Sequence, residues 1–238
     1  MPAIESEEIP ETYLSRPRTL QFWGSAMVIL PVFLQAPWVH IYPISACLFT
    51  LVILIGGVLL CKFANPKWVS AGSLLIGVSG SWLGGCLFWG WLRAHPVWHI
   101  PVEVIALPIA FFGLTTTWRI GAGFYLSCLL GTALTDLMML VTGVMNKWPL
   151  IVQSSFTEAS TLLNQVALEL INLRSISLLL FAGILIIYLS YLMKYRASLN
   201  TSFRQTWLIS SAALTTTLWV DGLFLLTALI QPRLSGLI

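Results

Sequence analysis

The chain has 238 residues, 58% of them hydrophobic and only 9% charged, and its formal net charge is +3. Its mean hydropathy is +0.88, whereas soluble domains carry about 25% charged residues, so a water-soluble globular domain is excluded. The small positive charge comes with no basic, aromatic-interleaved surface, which leaves no case for nucleic acid as a partner.

Residues 1–19, MPAIESEEIPETYLSRPRT, are polar and acidic and contain three prolines. They lack the basic start, short apolar core and small-residue cleavage site of a secretory signal. A short polar tail is expected there, with a single membrane domain over 20–238.

Seven apolar stretches follow, at roughly 20–37, 44–61, 69–92, 101–117, 121–145, 175–194 and 206–230. Runs of this length and polarity predict transmembrane helices, so the expected fold is an all-α polytopic membrane bundle of about seven spans. The first is the weakest, since Pro31, Gln35 and Pro37 interrupt it. A kinked helix or a re-entrant segment would leave six.

The basic residues sort by side. Arg16, Arg18, Lys62, Lys67, Arg119, Lys194, Arg196 and Arg204 fall on one side, and Arg93, Lys147, Arg174 and Arg233 on the other. The eight-to-four bias puts the N-terminus in the cytoplasm. Arg119 and Arg174 read as interfacial anchors.

The third span, SAGSLLIGVSGSWLGGCLFWGWL, is rich in glycine, with Gly80 and Gly84 in GxxxG spacing. Small residues let helices approach closely, so this span is expected at the packed centre, or as a docking surface. Glu103, two residues after Pro101, suits the start of a helix and its dipole. Segment 146–174 is the only long connection. Ser155 and Glu158 have capping-box spacing, and Phe156, Ala159, Leu163, Val166, Leu170 and Leu173 recur at helical period. They predict an interfacial amphipathic helix over about 155–173, packed on the protein's own spans or on a partner.

Carboxylates at bilayer depth carry the most information, because an Asp at a helix centre costs about 2.5–3.5 kcal/mol to insert. Asp136 and Asp221 qualify, each roughly 4 Å beyond the midplane on the same side at about 1.5 Å per residue. Each has a threonine four residues earlier, Thr132 and Thr217, on its own helical face. These four residues form the candidate solute- or ion-binding set; the alternative is that the carboxylates only hold helices together.

His40, His95 and His99 all lie toward one side. His40 and His99 are candidate axial ligands for chlorophyll or another tetrapyrrole, with ordinary interfacial histidines as the plainer reading. His95 and His99 are four apart, but Pro96 argues against a helix interior between them, and no third ligand completes a metal motif. Cys47, Cys61, Cys86 and Cys128 sit singly in apolar spans and read as small core residues. No hydrolase, metalloprotease, phosphate-loop or dinucleotide motif occurs, so no catalytic residue is assigned and a non-enzymatic role is favoured.

The stretch Pro31-Val-Phe-Leu-Gln-Ala-Pro-Trp-Val-His-Ile-Tyr-Pro43 resembles a segment of a cyanobacterial family of multi-pass membrane proteins catalogued only as a domain of unknown function. Length and the later spans are similar too. The resemblance implies a plasma or thylakoid membrane setting but no activity and no site residues. In span number and richness in glycine and tryptophan, the chain also resembles the substrate-binding subunits of energy-coupling-factor vitamin transporters, at the level of architecture alone. Two roles follow as expectations. One is binding or translocation of a small solute or ion at a midplane polar site. The other is an assembly or scaffold factor, or accessory subunit, of a photosynthetic membrane complex, with pigment binding through a histidine as one form of it; an intramembrane enzyme is the remaining class.

Overall fold

A computed structural model describes residues 17–200 and 202–230. Most of the expected tail, with Arg16, and Arg233 near the other end of the chain lie outside the described residues. The described chain is helical, with nine main helices. Seven are long and apolar enough to cross a membrane: α1 (Pro17–Ile41), α2 (Pro43–Phe63), α3 (Val69–Leu92), α4 (Pro96–Gly113), α5 (Arg119–Val141), α8 (Leu173–Leu199) and α9 (Arg204–Ile230). Between α5 and α8 lie two shorter helices, α6 (Val144–Gln153) and α7 (Phe156–Glu169).

The first span is one continuous helix rather than a re-entrant loop, and its prolines explain how. A proline lacks the N–H that would bond the carbonyl one turn back, and its ring clashes there. Residues Pro31–Gln35 widen into a π-helical turn in which the Ala36 N–H donates to the Pro31 carbonyl. The wider turn makes room for the ring, and the helix resumes over Ala36–Ile41. A second π-helical turn, Phe88–Leu92, ends α3. Such turns collect at functional sites, and both border the cavity described below.

Packing follows side-chain size. In α3, 61% of an 18-residue window is buried, against 17–28% in the other spans, so this helix is the packed centre. It lies between α2 and α5; α9 in turn contacts α5, α1 and α8. The closest crossing joins α3 to α5 at Gly77 and Gly121, where a Cβ on Gly77 would stand 2.1 Å from the Gly121 carbonyl oxygen. Gly57 and Gly72 bring α2 and α3 together in the same way. Gly80 and Gly84 face other neighbours: Gly80 the Tyr125 ring and Ala106, Gly84 the side chain of Glu103.

Helix α7 has the expected amphipathic face. Ala159, Leu163 and Val166 pack with Ile151 of α6 and Ala228 of α9, and Asn164 donates to the carbonyls of Ala228 and Leu229 at 2.9 and 3.0 Å. Those carbonyls belong to the last turn of α9, which has no intrahelical donors left. At its start, Glu158 accepts from the Ser155 hydroxyl at 2.8 Å and the Ser155 N–H at 3.2 Å. The two bonds, the hydroxyl's the larger, hold the Glu158 carboxyl below its ordinary range. The helix is shorter than 155–173. It ends at Glu169 because the Asn172 side chain accepts from the Ser175 N–H at 2.9 Å and so starts α8 at Leu173.

Candidate functional site

Helix α4 is built from short turns that set two ionisable side chains side by side. A 3-10 turn, Pro96–Trp98, leads into the α-helical turn His99–Glu103, and a further 3-10 turn, Val104–Ala106, follows. Pro101 falls in the first turn, where no N–H is needed. His95 stays outside the helix, and His99 shares its face with Glu103, four residues on.

His99 is held on both sides. Its Nδ1 lies 3.1 Å from Asp136 Oδ1 on α5, and its Nε2 lies 3.4 Å from Glu103 Oε1. The ring stacks on Phe88 at 4.0 Å between centroids. The three side chains are only 12–17% exposed. Two carboxylates facing one imidazole are matched by an N–H at each ring nitrogen. Axial ligation of a tetrapyrrole through His99 would require giving up one of these contacts. Glu103 is therefore not a helix cap: it closes its turn, faces His99, and fits against α3 because Gly84 has no side chain. Its backbone carbonyl accepts from the Tyr125 hydroxyl.

Asp221 on α9 takes a different partner. Its Oδ2 accepts from the Thr135 hydroxyl at 2.5 Å. The contact depends on a close approach of α5 and α9 at Gly131, where a Cβ would meet Thr217 at 2.7 Å. Thr135 and Asp136 are consecutive, so one turn of α5 sends a hydroxyl to α9 and a carboxylate to α4. The two aspartates lie at one level without bonding each other.

These groups border a cavity of about 400 Å³ between α1, α3, α4, α5 and α9. Its polar lining comprises Gln35, His40, Ser81, Arg93, His99, Glu103, Thr132, Thr135, Thr217 and Asp221, and its apolar lining includes Met27, Trp89, Phe124, Val220 and Phe224. Asp136 stands behind His99, outside the lining. Gln35 anchors the π-helical turn of α1 to α3, donating to the Trp82 carbonyl at 2.5 Å. Toward the end where α1 finishes, the Arg93 guanidinium lies 2.7 Å from His40 Nδ1. Arginine has no lone pair to offer, so His40 accepts. Trp148 of α6 donates to the Arg93 carbonyl at 3.0 Å, docking the surface helix beside this mouth.

The structure thus brings Thr132, Thr217, Asp221, His40 and His99 to one cavity and leaves Asp136 one contact away. It also brings in Gln35, Arg93 and Thr135, which were not among the candidate site residues, and Glu103, which the sequence assigned to a helix start. A signal existed for two of them: Gln35 is a lone amide in an apolar span, and Thr135 is the immediate neighbour of Asp136. Among the described residues, no group of three or more His, Cys, Asp or Glu is placed to hold a metal ion.

No curated protein and no solved structure matches the chain. Residues 24–229 match a family described as "Protein of unknown function (DUF3120)". Every residue lining the cavity, from Met27 to Phe224, falls inside that stretch, and the chain belongs to this family.

Proposed function

We propose that the protein binds a small solute in this cavity, or carries it across the membrane, without enzymatic chemistry of its own. The observation that carries the reading is the cavity itself. Its volume falls in the range of about 300–1,000 Å³ usual for small-molecule sites, and Glu103, Thr135, Thr217 and Asp221 reach it from three different spans. Ionisable groups at that depth are costly to insert and mark solute or ion pathways.

The setting we infer is a bacterial plasma or thylakoid membrane, with residues 20–238 as one membrane domain and the N-terminus cytoplasmic. The eight-to-four distribution of Lys and Arg supports that orientation.

Purification in mild detergent followed by native mass spectrometry tests the reading. Wild-type protein should carry, or take up from a solute mixture, a small molecule that Asp221→Asn and the cavity-filling Thr217→Trp both lose. If Thr217→Trp binds everything that wild type binds, the cavity is not the site. A stoichiometric membrane subunit recovered in place of any solute would instead support the assembly role.

A further inference from the structure

We propose that the solute is a small organic cation, an alkylammonium, which replaces a proton on Asp221. The inference rests on the reading of the cavity as a solute site and names the chemistry of that site.

It starts from how the interior carboxylates are balanced. Glu103 and Asp136 share His99 between them. Asp221 has only the Thr135 hydroxyl; among the described residues no Lys, Arg or His lies within 4.0 Å of it. A lone carboxylate at this depth requires either a positive partner or a proton to balance it. Of the nearby cations, His99 is paired with two carboxylates, and Arg93 lies at the mouth against His40, more than 4.0 Å from Asp221. An anionic solute would therefore meet Asp221 with no free positive group beside it.

The space around Asp221 selects the kind of cation. A cavity of about 400 Å³ is far larger than a bare metal ion, and no metal-binding cluster occurs among the described residues. Val220, Phe224, Phe124 and Met27 supply an apolar wall, and aromatic faces attract organic ammonium groups. The ammonium would lie against Asp221, with the Thr217 oxygen one turn away, and the hydrocarbon body against that wall. Binding is an exchange: the Asp221 carboxyl gives its proton to water, and the carboxylate left behind pairs with the ammonium, so charge in the site is unchanged. The other titratable groups facing the cavity are His99 and Glu103 from α4, with Asp136 of α5 behind them, the Cys128 thiol of α5, and Arg93 and His40 at the mouth. Helices α7 and α8 contribute none to the lining.

The test uses the full chain in phosphatidylcholine nanodiscs and three probes of one shape: 2-phenylethylammonium, neutral 2-phenylethanol and anionic 3-phenylpropionate. Binding is read from tryptophan fluorescence, since Trp89 lines the cavity, and proton release from a pH indicator in weak buffer. The ammonium should bind about tenfold more tightly than either counterpart and release roughly one proton per cation bound, with affinity falling as pH drops. Asp221→Asn should remove that preference and the proton release while retaining phenylethanol binding; Asp221→Glu should restore part of both. Tighter binding of phenylpropionate, or ammonium binding with no proton release, overturns the inference. Those wild-type measurements stand even where a variant folds poorly. The two levels fail differently: if Thr217→Trp leaves the binding of all three probes unchanged, the solute site itself is refuted, whereas loss of charge preference alone refutes only the cation.

Discussion

The α3–α5 crossing permits a quantitative prediction. A Cβ placed on Gly121 would stand 1.9 Å from the Ser73 carbonyl oxygen and 2.8 Å from the Gly77 nitrogen. Ordinary contact needs about 3.5 Å, so Gly121→Ala forces the two helices apart by roughly 1.5 Å, and backbone on both sides prevents a local adjustment. Overpacking a filled core costs about 1–3 kcal/mol, and a clash of backbone with backbone belongs at the upper end. Separation also breaks the 3.0 Å bond from the Gly121 N–H to the Ser73 hydroxyl, which contributes about 1 kcal/mol. The better helix propensity of alanine offsets about 1 kcal/mol. The expected net loss is about 3 kcal/mol.

Gly56 and Gly222 provide the controls, since nothing lies within 4 Å of a Cβ at either. Alanine there should be neutral, or stabilising by up to about 1 kcal/mol. Reversible unfolding in mixed detergent micelles, followed by tryptophan fluorescence, compares the three variants directly. If Gly121→Ala unfolds together with Gly56→Ala, the close crossing is not what holds α3 and α5.

The His99 bridge and the start of α7 can be tested by the same kinds of measurement. His99→Ala leaves Glu103 and Asp136 facing each other without the shared imidazole, and loss of one partner from a buried ionic contact costs about 3–5 kcal/mol. Adding Asp136→Asn should recover part of that loss in the unfolding midpoint; a double variant no more stable than the single one would show that charge is not the cause. At α7, Glu158 is held below its ordinary range by Ser155. A lowered carboxyl stabilises above its unfolded value, about 4.3, and that contribution is lost as pH falls through the folded value. Hydrogen exchange should therefore show residues 156–159 losing protection in acid below about pH 4, and Ser155→Ala should flatten that dependence.

The spans are legible in the sequence because each is an apolar run bounded by polar or proline-containing segments, and a bilayer imposes that pattern on any chain that crosses it. The amphipathic face and capping box of α7 are legible for the same local reasons. Its end is not, because Leu170 and Leu173 continue the apolar stripe past Glu169 while Asn172 caps the next helix. Pairings between helices are less legible still. Depth alone singles out Asp136 and Asp221, but hydropathy cannot say that Asp136 meets His99 on α4 or that Thr135, not Thr132, reaches Asp221. Gly80 and Gly84 stand out by their GxxxG spacing, yet the closest backbone contact belongs to Gly77, because a crossing point depends on which residue the partner helix presents, here Gly121.

The backbone-to-backbone crossings and the cavity occupy opposite halves of the bundle, while the approach of Gly131 to the Thr217 side chain lies at the cavity itself. The Gly77–Gly121 crossing lies toward the face where α1, α3, α5 and α9 begin, as do the contacts of Gly24 with Ile209 and Gly123 with Thr206. The largest apolar cluster is there too, built from Leu20, Leu74, Ile120, Leu208 and Ile209 with Phe124 at its inner edge. Phe124 also lines the cavity, so the sealed half forms the floor of the site. Toward the opposite face the helices carry Asp221, His99 and finally the Arg93–His40 pair, where the cavity reaches the ends of α1 and α3. The bundle is thus closed by backbone contacts between glycines at one face and holds its polar groups toward the other. Because the floor is backbone against backbone, opening it means separating α3 from α5, whereas binding from the open face requires no such movement. A protein that only captures its solute keeps the Gly77–Gly121 crossing shut; one that released the solute through this floor would have to part it.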